Sequence, residues 1–171
     1  MTTTINVDDL LARLQAHYAR LGDGRDCRSQ RERADWYAAT TTCAQLISGL
    51  MNGPQDVARQ QARLDDLEAS RAAVVAKIAE VEQAILDAPP WREHPDARER
   101  DRRYDHIAQL RRQLEHLHAG TLLRAPDRCY ERLDDLDRRI KEVTERRNRL
   151  QLQLDAHLRQ AEALLAAATV G

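Results

Sequence analysis

The sequence predicts an all-α protein, and three observations carry that prediction. Apolar residues recur at alternating three- and four-residue steps along most of the chain. Glycine and proline collect at a few points and leave long uninterrupted stretches between them. No run of Val, Ile, Thr or aromatic residues alternates with period two, and Thr40-Thr41-Thr42 is too short to count as a strand. Composition narrows the class further. Of 171 residues, 42% are hydrophobic but only 4% aromatic, with two Trp, four Tyr and no Phe. Aromatic side chains are the large payload of compact cores. A chain built on Leu, Ile, Val and Ala fills narrow seams between helices better than a thick, layered interior.

The elements follow from the punctuation. Helix 1 is expected over 7–21, with Val7, Leu11, Leu14, Tyr18 and Leu21 on one stripe, Asn6 as cap, and Asp8 and Asp9 at the positive end of its dipole. Gly22-Asp23-Gly24 then makes a turn. Helix 2 is expected over 26–51, carrying Trp36, Thr40, Cys43, Ile47 and Leu50, with Tyr37 and Ala44 widening the stripe. Asn52-Gly53-Pro54 reads as a break, because Gly past one helix and Pro inside the next is the usual asymmetry. Helix 3 is expected over 55–88, with a seam of Val57, Gln60, Leu64, Leu67, Arg71, Val74, Ile78, Val81, Ile85 and Ala88. After Pro89-Pro90 and Pro95, helix 4 covers 95–118 through Arg103, Ile107, Leu110, Leu114 and Leu117. Beyond Gly120 and Pro126, helix 5 covers 126–168 on Cys129, Leu133, Leu136, Ile140, Val143, Arg147, Leu150, Leu154, His157, Ala161, Leu164 and Ala168.

Spacing of this kind is the heptad pattern of left-handed coiled-coil packing. At about 1.5 Å per residue helix 5 would span roughly 60 Å, whereas a compact domain of this length has a radius of gyration of only about 15 Å. The expected architecture is therefore elongated. A short N-terminal helical hairpin (1–52) precedes a three-helix coiled-coil region (55–171). Arg71 and Arg147 each interrupt an apolar seam. If helices 3 and 5 paired antiparallel, the two arginines would fall at a similar height and repel, unless acidic neighbours such as Glu68 or Glu142 compensate. We therefore expect helix 4 to fold back between them and helices 3 and 5 to run parallel, with antiparallel pairing as the alternative.

Charge and cysteine usage bound the function. Charged residues make up 32% of the chain, yet 27 basic and 28 acidic side chains leave a net charge of −1, which argues against a general polyanion binder. No stretch approaches 18 uncharged apolar residues, the start lacks the pattern of a secretory signal, and Cys27, Cys43 and Cys129 make no disulfide framework. A cytoplasmic setting, bacterial cytosol or phage particle, is the expectation.

Chemistry is sparse. Gly22-Asp23-Gly24 follows no strand and matches no phosphate-binding fingerprint. Glu115 and His118 have the spacing of a helical metal motif, but no second copy accompanies them, so neither metal nor cofactor is expected. His94 reads as a linker or cap, and His157 as a packed seam residue. Cys27 stands among Arg25 and Arg28, while Cys43 and Cys129 lie on apolar stripes. An enzyme is not expected.

Nucleic acid is the stronger rival, because 25 of the 27 basic residues are Arg and Arg138 to Arg149 is locally basic. Arg138, Arg139, Arg146, Arg147 and Arg149 form the candidate basic patch. Acidic residues precede it and no aromatics accompany it, so a solvated, ion-paired helix surface is the simpler reading. The candidate partner contacts are Trp36 and Tyr37, Trp91 at the Pro89-Pro90 bend, and Leu122 and Leu123 before Pro126. These observations point to a non-enzymatic structural or assembly protein working through protein–protein contacts. It would be a homo-oligomer or part of a larger assembly, such as a phage virion or macromolecular machine. The alternatives are a soluble regulator docking on one protein target, or an Arg-rich nucleic-acid-binding rod.

Overall fold

The computed structural model describes residues 6–120 and 131–170. It is all-α, with α1 at Val7–Arg20, α2 at Gln30–Asp87, α3 at Ala97–Ala119 and α4 at Leu133–Val170; no strand occurs among the described residues. Two compact units are present. The first comprises 1–61 and 145–171, and the second 62–144. Each is a packing of three helical segments.

α1 begins as expected, with the Asn6 carboxamide accepting hydrogen bonds from the amides of Asp8 and Asp9. Its apolar stripe is turned from the expected one. Leu10 and Leu14 are buried, while Tyr18 is exposed. α2 starts at Gln30 rather than 26 because Ser29 and Glu32 form a capping box. The Ser29 hydroxyl accepts from the Glu32 amide at 3.1 Å, and the Glu32 carboxylate accepts from the Ser29 amide at 3.2 Å.

The largest correction concerns Asn52-Gly53-Pro54. The expected break is absent, and α2 runs through it as one helix of 58 residues. A proline inside a helix removes one hydrogen bond and crowds the carbonyl four residues back, at a cost of about 3 kcal/mol. Leu46 and Leu50 are buried just before it, and Leu64 and Leu67 after it, so a continuous helix keeps both stretches packed. Two glycines of this stretch lie under side chains of α4. A Cβ on Gly53 would lie 2.9 Å from the Leu154 methyl of α4, and one on Gly49 would lie 2.2 Å from Nδ1 of the His157 ring.

In the first unit Leu10 and Leu14 of α1 pack with Leu46 and Leu50 of α2 and Leu154, Ala161 and Leu165 of α4. Within that unit the α2–α4 contacts pair 49 with 157, 53 with 154 and 61 with 147. Numbers rise on one helix as they fall on the other, so the segments are antiparallel. In the second unit Leu64, Leu67, Val74, Ile78 and Val81 of α2 pack with Leu117 of α3 and Leu136 and Val143 of α4. There Arg71 donates to Asp137 at 2.5 Å, while Glu68 shares a concavity with Ile140. That order is antiparallel too. The expected parallel arrangement is thus wrong, and so is the reason for preferring it. Arg71 meets Asp137, and Arg147 donates to the Gln61 carboxamide at 2.6 Å, so the two arginines never face each other.

α3 is capped at both ends. The Asp96 carboxylate accepts from the Arg98 amide at 3.0 Å, and Gly120, at φ 65°, takes the left-handed conformation that closes the last turn.

Candidate functional site

Trp36 sits one turn and a half into α2, where its indole reaches back over the α1–α2 connection. Its Nε1 donates to the Leu21 carbonyl at 3.0 Å. The ring covers Gly24, whose φ is 74° and on which a Cβ would lie 2.8 Å from the indole. Trp36 is a tie between two helices and half-buried. Tyr37, its neighbour, projects on another face and is 67% exposed. Ala44 is exposed as well. The stripe of α2 therefore widens toward Leu46, not toward Tyr37 and Ala44 as expected.

Trp91 is held at the turn between α2 and α3. Its ring meets Tyr104 edge-on, with centroids 5.3 Å apart and an interplanar angle of 73°, and the Arg92 guanidinium lies 5.1 Å from its face. The turn itself is stiffened by Arg100, which donates to the carbonyls of His94 and Pro95 at 2.9 and 3.2 Å, and by the Asp96 amide donating to His94 Nδ1. His94 thus does act in the turn. Trp91, Tyr104, Ala108, Arg111, Arg112 and Glu115 line an open concavity along α3, with Tyr104 itself 54% exposed. Leu122 and Leu123 lie outside the described residues, as does Cys129.

The candidate basic patch does not gather into one surface. Arg138 pairs with Asp135 at 3.0 Å, Arg139 pairs with Glu131, and Arg147 turns inward to Gln61 and to Asn148. Arg146 and Arg149 are exposed. At 100° per residue, Arg138 and Arg149 share their face with Glu142 and Glu145, which breaks the positive field into small, alternating patches. Close proximity to Asp137 raises the pKa of Arg71, through the hydrogen bond first and the charge second. That guanidinium is solvated, so the pair is a register mark more than a source of stability.

Cys43 is fully buried and its thiol is pushed up by desolvation, the environment of an inert packing residue. Cys27 is half-buried with its Sγ 3.7 Å from the Glu32 carbonyl. Among the described residues no group of three or more His, Cys, Asp or Glu is placed to hold a metal ion, and no helix is long and apolar enough to cross a membrane. The capping box at Ser29-Gln-Arg-Glu32 and the close approach at Gly49 were missed from sequence; the first had a readable signal, Ser followed three residues on by Glu. In comparisons with known proteins, no protein family, no curated protein and no solved structure matches the chain.

Proposed function

We propose that the chain is a non-enzymatic helical assembly protein that acts through protein–protein contacts. The observation that carries this reading is the α3 face on which Tyr104 stands exposed beside Trp91, with Arg111 and Arg112 along the same concavity. Trp, Tyr and Arg are the residues in which interface energy concentrates. Here the aromatic pair is pre-set by its edge-to-face contact, so little side-chain freedom is lost on docking. A place in a phage particle or a macromolecular machine is the setting this reading favours, because the charged surface alternates in sign and suits contact with several neighbours.

Affinity purification of the full chain from its native host, beside the Tyr104→Ala variant, tests the proposal. The expected result is a protein partner in fixed stoichiometry, whose recovery falls by roughly tenfold with the variant, as a residue contributing above about 1 kcal/mol at an interface would give. Many copies per particle support an assembly role, and a single copy on one enzyme supports a regulator instead. Recovery of nucleic acid alone, lost steeply as salt is raised, would overturn both.

A further inference from the structure

We draw no further inference here: the strongest candidate, the charge-free face of α2 between Asp35 and Asp56 on which Tyr37, Ala44 and Met51 stand exposed, carries none because nothing in the structure shows what covers it.

Discussion

Gly49 and Gly53 stand four residues apart on α2, yet they should respond to substitution in opposite ways. At Gly49 an added methyl would lie 2.2 Å from Nδ1 of the His157 imidazole, a half-buried planar ring that meets it along one whole side. At Gly53 it would press on a terminal methyl of Leu154, which can rotate aside. Glycine-to-alanine in a helix interior gains about 1 kcal/mol from propensity, and overpacking a filled space costs about 1–3 kcal/mol. Overpacking wins at 49 and propensity wins at 53. Gly49→Ala is therefore expected to lower the urea midpoint by an amount equivalent to up to about 2 kcal/mol, and Gly53→Ala to raise it modestly at unchanged m. Adding His157→Ala to Gly49→Ala should restore part of the loss, as a non-additive pair in contact does. A midpoint unmoved by Gly49→Ala would mean that the ring has somewhere else to go.

At the scale of the helix, Pro54 is the conspicuous local violation. It withholds a donor from the Leu50 carbonyl inside a helix that continues for about nine more turns. Pro54→Ala should restore that bond and stabilise the protein by about 1–3 kcal/mol, measured as a rise in midpoint by circular dichroism. Destabilisation would show instead that the proline sets a bend on which the packing of Leu154 depends. This residue also shows where reading the sequence reached its limit. Leu64, Leu67, Val74, Ile78 and Val81 were identified as one buried face from spacing alone, because a helix sorts apolar residues by period whatever lies opposite. Gly53 and Pro54 carry no such period. Whether a glycine ends a helix or admits a neighbour depends on His157 and Leu154, about a hundred residues away in the chain. Direction escaped for a related reason. Heptads look alike read either way, and it takes particular contacts, such as Arg71–Asp137, Arg147–Gln61 and Gly49–His157, to distinguish the two. The side to which the α2 stripe widens was equally undetermined.

For the molecule as a whole, the first unit draws on both ends of the chain. Removing 145–171 takes Leu154, Ala161 and Leu165 from that core and leaves Leu10, Leu14, Leu46 and Leu50 with one side open to water. In a chain ending at 144, amide hydrogen exchange across 46–50 should therefore quicken by at least about 100-fold, the signature of a lost local unit. Amides across 74–81, whose partners Leu117, Leu136 and Val143 remain, should keep most of their protection. Equal loss in both places would show that the two cores melt together. The antiparallel pairing in this unit has a consequence for how the gene can change. A single inserted codon in 49–61 would turn everything after it by 100° and slide it by 1.5 Å, carrying the residues beyond it out of step with 147–157. Tolerated length variation should then come as seven-residue steps, matched between two stretches of coding sequence nearly a hundred codons apart.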